Sequence, residues 1–278
     1  MIDEAEVRGR IARAVDAVRA ENPMAGSVTN GVTTDFVANA QIAVGGSAAM
    51  VYLPDEAETL VAAGRALYIN MGTLMPVSGE TITRAARALA AAGKPWTLDP
   101  VGIGIGELRT EILSAVKECK PAVVRGNASE IIALAGLWGL SAGGELDRAR
   151  GVDSTDEVAT ARAAAIELAR FTGGAVAVSG EVDLVTDGET VAHVHGGSHF
   201  MSEITGSGCS LGGVIAVYET VADPFTAALA GVAIYDVAGM RGEEKAEGPA
   251  SFKVAFIDAL ATVPAEDVAA CEMEFEEA

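Results

Sequence analysis

Residues 66–98, ALYINMGTLMPVSGETITRAARALAAAGKPWTL, decide the fold. Ala66–Asn70 is a short, largely apolar run that predicts a buried strand, and a helix is predicted from about Ser78 to Ala92. Gly93-Lys94-Pro95 ends that helix, because glycine and proline favour helix termination, and a second strand begins at Trp96. Continuous apolar strands that are separated by helices are typical of parallel sheets covered on both faces.

The same alternation continues in both directions along the chain. An amphipathic helix is predicted at the start, where one helical face carries Val7, Ile11, Val15 and Val18. Further strands are predicted at 48–51, 122–124 and 175–178, a helix begins at Pro54-Asp55, and from Ser207 onward the chain is mostly helical. Two extended runs between Asp183 and Val194 flank Asp187-Gly188, which is a favourable hairpin turn. We therefore expect an α/β fold with a central, mostly parallel sheet covered by helices on both faces, and a single domain over 1–278.

Composition limits the class of protein and its partners. The 278 residues carry 19 basic and 39 acidic side chains, a formal net charge of −20, and 50% of them are hydrophobic. The apolar half excludes an intrinsically disordered chain, and the charge argues against binding to the anionic backbone of nucleic acid. The excess of acidic side chains also suggests a salt-adapted, heavily hydrated surface.

Neither a signal peptide nor a membrane span is expected. The N-terminus lacks a basic segment followed by an apolar one, and the longest uncharged run, 36–54, contains several polar residues and indicates buried core instead. Three cysteines, Cys119, Cys209 and Cys271, are too few and too far apart for a disulfide framework. We expect a reducing, cytoplasmic compartment.

A glycine-rich entry to a helix is the first candidate binding element. Thr205-Gly206-Ser207-Gly208-Cys209 precedes the apolar helical run 211–218. Backbone N–H groups at such an entry can approach an anion closely, and the helix dipole favours negative charge. A tight loop before a packed helix would give the same pattern without a ligand, so both interpretations stay open.

A second candidate element follows the strand that ends at Arg125. Asn127 with Glu130 three residues later is a capping-box pattern, which needs no ligand. The functional alternative places Glu130 beside a bound cation or its waters and Arg125 against a phosphate, to which arginine can make bidentate contacts.

Asp99 supplies a third candidate, at the end of another predicted strand. Ligands of open α/β sheets bind beyond the carboxyl ends of the strands, so Asp99 is well placed to assist Mg²⁺; an acidic turn residue before proline is an equally good explanation. Gly102 and Gly104 do not complete a dinucleotide fingerprint, because Glu107 occupies the third glycine position. The sole Gly-Lys pair is followed by Pro95, which excludes a P-loop.

Two further polar groups have structural explanations. His193, His195 and His199 are interpreted as surface histidines of the hairpin region rather than metal ligands. The acidic tail from Glu272 to Glu277 is expected to be a solvated end.

Taken in order, these motifs resemble the hydroxyethylthiazole kinase family of the ribokinase-like superfamily. Cys209 is the most specific match, since most ribokinase-like kinases place an aspartate there and the thiazole kinases a cysteine. The motifs that carry the resemblance run through most of the chain: Asn22-Pro23 to Thr29-Asn30, Asn39-Ala40, Ser47 to Met50, Asn70 to Leu74, Asp99 to Gly102, Arg109-Thr110, Arg125 to Glu130, Gly151 to Ser154, Thr205 to Cys209, and Gly248 to Phe252.

The resemblance implies a ribokinase-like fold and ATP-dependent phosphorylation of 4-methyl-5-(2-hydroxyethyl)thiazole with Mg²⁺. It also implies a homotrimer with active sites at the subunit interfaces. The implied site residues are Arg125 and Ser179 at ATP, Met50 and Gly206 at the thiazole, Gly206, Ser207 and Gly208 as an anion-hole loop, and Asp99 and Glu130, with Asn127 nearby, at the metal.

Two departures from the family pattern stand out. Ala25-Gly26-Ser27-Val28 replaces a stretch in which many members have a His-Cys pair, and this segment is expected near the substrate. Ala250 stands where the closing motif usually has glycine, which affects the local backbone rather than the chemistry.

Cys209 is the candidate catalytic residue. A helix N-terminus lowers the pKa of a thiol, which would let Cys209 accept the hydroxyl proton, whereas a neighbouring triphosphate would raise it. We therefore expect Cys209 to help catalysis without being indispensable.

Three other functions remain open at this point. They are a related pyrimidine kinase or nucleotide-repair dehydratase, against which Cys209 argues; a binding protein without turnover; and a structural homo-oligomer, disfavoured because Asp99, Arg125 and Glu130 all fall at strand ends.

Overall fold

The computed structural model describes residues 2–143 and 154–278, so the Gly151-Val152-Asp153 part of one motif lies outside the described residues. Within these two ranges, nine strands form one sheet. The strands are β1 (Met24–Val28), β2 (Ser47–Met50), β3 (Ala66–Asn70), β4 (Trp96–Asp99), β5 (Val123–Asn127), β6 (Ala175–Ser179), β7 (Asp183–Thr186), β8 (Thr190–His195) and β9 (Glu272–Glu277).

Twelve α-helices and one 3₁₀ turn (Lys117–Cys119) connect the strands in the described part of the chain. The helices are α1 (Glu4–Glu21), α2 (Thr34–Ala43), α3 (Pro54–Ala63), α4 (Ser78–Ala92), α5 (Glu107–Val116), α6 (Ala128–Leu137), α7 (Ser154–Thr172), α8 (Phe200–Glu203), α9 (Ser207–Tyr218), α10 (Pro224–Glu243), α11 (Pro249–Thr262) and α12 (Ala265–Ala269). None of these helices combines the length and the apolar character that crossing a membrane requires.

Local sequence signals account for most helix boundaries. The Asp3 carboxylate caps α1 by accepting a hydrogen bond from the N–H of Glu6 at 3.1 Å, and Asp223 caps α10 in the same way at Thr226. Pro224 occupies the first turn of α10, where its missing N–H costs nothing. Gly93 adopts φ +62° and closes α4, as its position after the predicted helix indicated.

The order of the strands across the sheet is β2-β1-β3-β4-β5-β6-β7-β8-β9. The strands from β2 to β6 pair in parallel, and β7, β8 and β9 add in antiparallel orientation. The predicted, mostly parallel sheet and the hairpin at Asp187-Gly188 are therefore confirmed.

The expectation for the acidic tail is wrong. Residues Glu272–Glu277 form strand β9, which pairs with β8 from Glu272↔His195 to Glu277↔Thr190. Met273 is buried against the core and Phe275 packs beside it, so alternate side chains point inward while the glutamates stay in water. This two-residue alternation is the signature of an edge strand with one covered face.

Two apolar cores flank the sheet, one on each face. The first includes residues of α1, α2, α9, α10 and α11, and the second includes residues of α3, α4, α5, α6 and α7. The prediction of helices on both faces is confirmed. The two cores hold the carboxyl ends of the parallel strands in one row, so that Asn70 lies beside Asp99, and Asn127 beside Ser179.

Candidate active site

Arg125 lies at the centre of this row of strand ends. It is 8% exposed, and its Nη2 donates to Ser179 Oγ at 2.8 Å, while its Nη1 is 3.5 Å from Asp99 Oδ2. β4, β5 and β6 each contribute one of these three residues. Because neighbouring strands hold both ends of the guanidinium, it keeps one orientation and presents its remaining N–H groups to the edge of the sheet.

The N-terminus of α9 faces the same guanidinium. Gly206 precedes the helix with φ +96°, and a Cβ there would lie 2.8 Å from Thr33 Cγ2, so this position requires glycine. A Cβ on Gly208 would lie 2.6 Å from both Nη atoms of Arg125. The N–H groups of the first helical turn have no acceptor within the helix. Arg125 and these N–H groups thus form one site with donors and positive charge, suited to a phosphate.

Asp99 is fully buried next to this site. Its Oδ2 accepts hydrogen bonds from Tyr68 Oη and Asn70 Nδ2, both at 2.9 Å, and its Oδ1 accepts from the N–H of Val101 at 3.2 Å. Burial raises the pKa of Asp99 to about 6, although the charge of Arg125 acts in the opposite direction. Asp99 thereby fixes Arg125, Tyr68 and Asn70 relative to one another.

Glu130 and Asn127 form the capping box that their spacing predicts. Asn127 Oδ1 accepts from the N–H of Glu130 at 2.9 Å, and Glu130 Oε2 accepts from the N–H of Asn127 at 3.0 Å. Glu130 Oε1 also accepts from the N–H of Gly102 at 3.2 Å, so it joins the loop after β4 to α6. A carboxylate has about four acceptor positions, so these bonds leave Glu130 able to accept from a further partner.

The carboxylates of Asp99 and Glu130 fit a magnesium ion that is bound together with a phosphate ligand. Mg²⁺ usually keeps several waters and takes one or two protein carboxylates together with phosphate oxygens. Glu130 retains acceptor capacity beside the Arg125 site, and its charge raises the pKa of Asp99, which indicates that the two carboxyls are close. Among the described residues, no group of three or more His, Cys, Asp or Glu side chains could hold a metal.

Cys209 lies in the first turn of α9 and contacts two amides. Asn70 Nδ2 lies 3.3 Å and Asn30 Nδ2 lies 3.6 Å from its Sγ. Burial raises the pKa of the Cys209 thiol, and the charge of Asp99 adds to the rise, while Arg125 lowers it. Burial therefore opposes the lowering expected from the helix N-terminus, because removing a thiolate from water disfavours the charged form.

A cavity of about 700 Å³ opens beside Arg125 and α9. Its walls include Ser179, Ser207 and Gly208 at the guanidinium, and Met201, His199 and Glu243 elsewhere. Asp183 and Asp236 line it as well. Pockets for small ligands are commonly about 300–1,000 Å³, so this one has room for a nucleotide.

Met50 lies at the end of the edge strand β2, beside Ser27 of β1, and is partly buried.

A second cavity, of about 280 Å³, is lined by Val28, Thr29 and Asn70 among others. Of the unusual segment Ala25–Val28, Ala25 and Ser27 are fully buried, and a Cβ on Gly26 would meet the side chains of Leu60 and Leu67. Only Val28 reaches this cavity, so the segment touches it through one residue.

The histidines lie outside the Arg125 site. His193 and His195 share one face of β8, where His193 pairs with Glu276 at 3.4 Å, and His199 pairs with Glu243 at the cavity wall at 3.1 Å. The surface interpretation agrees with the exposure of His199 and the partial exposure of His193, but it is wrong for His195, whose Nε2 is buried without a hydrogen-bond partner among the described residues.

Sequence reasoning missed four polar residues at these sites. Asn30 and Asn70 stand in the quoted motifs, but their contact with Cys209 requires strands that are distant in sequence. Asp183 lies in the hairpin, and Asp236 lies within the apolar first part of α10. Asp236 could have been singled out from the sequence, because it is an isolated acidic residue inside an apolar run.

Comparison with solved structures identifies the class of protein. A ribokinase-like superfamily protein from Enterococcus faecalis superimposes with a TM-score of 0.63 over 91% of this chain and 93% of its own, at 11% identity. At that identity the similarity concerns the fold alone. The chain therefore has the ribokinase-like fold, and Arg125 and the start of α9 lie at the carboxyl edge of its sheet, where ligands of open α/β sheets bind.

The family is narrower than the fold. The sequence model of the hydroxyethylthiazole kinase family matches residues 15–266. A hydroxyethylthiazole kinase from Bifidobacterium longum is 48% identical over 97% of this chain and 92% of its own length. The structure of a hydroxyethylthiazole kinase protein from Pyrococcus horikoshii superimposes with a TM-score of 0.84, at 28% identity, over 96% of this chain and 98% of that one. The chain belongs to the hydroxyethylthiazole kinase family.

Proposed function

We propose that this protein phosphorylates the hydroxyl group of 4-methyl-5-(2-hydroxyethyl)thiazole with ATP, a step of thiamine salvage. Family membership over nearly the whole chain supports the reaction. The observation that carries the chemistry is the contact between Arg125 and Gly208, which puts a fixed cation against free N–H groups at the start of α9. In phosphoryl transfer, positioning and neutralisation of phosphate charge supply most of the acceleration.

Arg125 and Ser179 bind the phosphates of ATP in this proposal, and Gly206, Ser207 and Gly208 form the anion hole. Ser179 accepts a hydrogen bond from Arg125 and lines the large cavity with it. The net charge of −20 opposes an anion at long range, but the site offsets it locally with neutral backbone donors and one arginine.

Cys209 lies where the acceptor hydroxyl would meet the phosphate. The raised pKa keeps its side chain a neutral thiol at neutral pH, which makes it a weak base. We propose that the thiol orients the hydroxyl together with Asn30 and Asn70, and that the hydroxyl proton passes to Cys209 only in the small fraction of molecules in which it is a thiolate. Met50 and Gly206 contact the thiazole.

Mg²⁺ would be held by Glu130 and Asp99, with Asn127 nearby. When bound, the ion supplies positive charge that neutralises the phosphates of ATP. Both carboxylates also orient protein groups, and these contacts do not require the ion. Asp99 holds Arg125, and Glu130 holds the loop at Gly102.

We further propose that residues 1–278 act as one domain, and that the chain assembles as a cytoplasmic homotrimer with active sites between subunits. Both core clusters share one sheet, which supports a single domain. Large apolar side chains are exposed near Met50, where Val32, Ile42 and Leu53 are 68%, 58% and 49% exposed, respectively. Light scattering at the exit of a sizing column tests the assembly; a monomer at all concentrations would contradict it.

A coupled assay of ADP release, with the thiazole alcohol and with hydroxymethylpyrimidine as acceptors, tests the proposed reaction. We expect release that depends on the thiazole alcohol and on Mg²⁺, and at most slow release with the pyrimidine. A preference for the pyrimidine would assign the protein to another activity, and binding of both substrates without ADP release would indicate a binding protein without turnover.

A further inference from the structure

The large cavity contains a carboxyl group that the proposed reaction leaves without a role. Asp236, on α10, is 6% exposed and lines the cavity, and its Oδ2 has no hydrogen-bond partner in the described part of the chain. A buried carboxyl oxygen without a partner costs free energy, so it is expected to meet a ligand or a water. Asp183, at the start of β7, lines the same cavity.

The two carboxyls interact with each other. Burial raises the pKa of Asp236, and the neighbouring charge of Asp183 raises it further. Burial also raises the pKa of Asp183, although its Oδ1 accepts from the N–H of Gly180 at 2.8 Å and Arg125 lies close enough to oppose the rise. Two such carboxyls can share a proton, which limits their repulsion of a nearby phosphate.

Contacts between neighbouring residues connect this pair to the phosphate site. Gly208 touches Arg125, which donates to Ser179, and Asp183 follows because its Oδ1 accepts from the N–H of Gly180. Asp236 lines the same cavity and lies close enough to Asp183 for that charge to raise its pKa. The carbonyl oxygen of Asp236 accepts from the N–H of Gly197 at 3.1 Å.

Gly197 lies against both this pair and Met201. A Cβ on Gly197 would lie 3.3 Å from Asp236 Oδ1 and 3.4 Å from Met201 Sδ. Met201 also reaches the start of α9, because its carbonyl oxygen accepts from Ser207 Oγ at 2.6 Å. The carboxyl pair therefore shares one cavity with the phosphate site at Arg125 and Ser207.

We propose that Asp236 and Asp183 recognise the ribose of the nucleotide, by accepting hydrogen bonds from its 2′- and 3′-hydroxyl groups. The sugar of a nucleotide is linked directly to its phosphates, and this pair lines the same cavity as Arg125, to which it is connected through Ser179 and Gly180. Carboxylates recognise ribose hydroxyls in other nucleotide sites, because each oxygen can accept from one hydroxyl. The inference rests on the proposed binding of a nucleotide and names the part of it that this pair selects.

Calorimetric titration with ADP and with 2′,3′-dideoxy-ADP tests the proposal without turnover. The wild-type protein is expected to bind ADP about tenfold or more tightly than the dideoxy compound, the effect of losing hydrogen bonds to a charged group. In Asp236→Ala the ratio of the two affinities is expected to fall to about threefold or less, mainly through weaker ADP binding.

Two further variants keep the result interpretable. Asp236→Asn preserves the shape of the side chain and is expected to lower the ratio in part, so it covers the case in which the alanine variant fails to fold. Glu181→Gln removes a negative charge from an exposed residue of the same cavity and is expected to leave the ratio unchanged. Thermal unfolding of each variant verifies that it is folded.

Equal loss of affinity for both nucleotides in Asp236→Ala would overturn ribose recognition, as would a wild-type protein that does not distinguish them. Absence of any nucleotide binding to the wild-type protein would overturn the proposed function itself, and the ribose inference with it.

Discussion

At the scale of single residues, the environment of Cys209 determines how much it can contribute. Its Sγ accepts from two asparagine amides, yet burial keeps the pKa of the thiol raised. A group that is neutral at working pH contributes less as a base than one whose pKa lies near that pH. The rate should therefore depend chiefly on Arg125 and on the N–H groups of α9.

Replacement of Cys209 measures this contribution. General bases contribute roughly 10²–10⁴ to a rate, so we expect Cys209→Ala to retain more than about a thousandth of the wild-type kcat. Cys209→Asp should also remain active, because it restores a proton acceptor at the same position. Steady-state assays at saturating substrate check both variants. A loss in Cys209→Ala well beyond that limit would show that the thiol is indispensable, and complete inactivity of Cys209→Asp would count against proton transfer at this position.

At the scale of secondary-structure elements, the close approach of α9 to β5 is what would build the proposed anion site. Gly208→Ala should displace the Arg125 guanidinium, because the added Cβ would lie 2.6 Å from its Nη atoms. We expect the KM for ATP to rise about tenfold or more, the effect of losing a charge-assisted hydrogen bond, without loss of helix content. Gly79→Ala in the first turn of α4 is the matched control, since its Cβ would make an ordinary 3.4 Å contact with Leu108. An unchanged KM in Gly208→Ala would contradict the assigned role of Arg125.

The carboxyl end of α9 gives a prediction for stability. Glu219 is buried, accepts from Thr97 Oγ1 at 2.9 Å, and has its pKa raised by burial from 4.5 to about 8. Between pH 4.5 and about pH 8, Glu219 keeps its proton in the folded protein but has released it in the unfolded chain. The free energy of unfolding should therefore fall with rising pH, by about 1.4 kcal/mol per unit from this group, until the pH passes the folded pKa.

Glu219→Gln should remove that slope, because glutamine does not titrate. Urea unfolding at several pH values between these two pKa values checks it, and the variant should gain stability over the wild-type protein as the pH rises. Equal pH dependence in both proteins would show that Glu219 does not hold a proton in the folded state.

At the scale of the whole molecule, we expect the net charge of −20 to act mainly on stability. Like charges repel one another in the compact state, and added salt screens them over about 10 Å at 0.1 M and over shorter distances at higher concentration. We expect the midpoint of urea unfolding to rise from low to molar salt. A midpoint independent of salt would contradict the idea of a salt-adapted surface.

Sequence patterns predicted local elements better than contacts between them. Residues 66–70 and 78–92 match β3 and α4 because burial, glycine and proline act within a short stretch of chain. Strand β9 was missed, although Met273 and Phe275 alternate with glutamates, because six acidic-rich residues at a chain end also fit a solvated tail. The pKa of Cys209 and the pairing of Asp183 with Asp236 depend on burial by distant elements, which no local pattern contains.

In the proposed reaction, a phosphoryl group passes from ATP to the hydroxyl of the thiazole alcohol. Following the label of [γ-³²P]ATP, with both products separated and counted, tests it most directly. The predicted result is label in the thiazole phosphate, equal in amount to the ADP formed and dependent on the alcohol. Label that appears only in inorganic phosphate, or no transfer at saturating ATP, Mg²⁺ and alcohol, would contradict it.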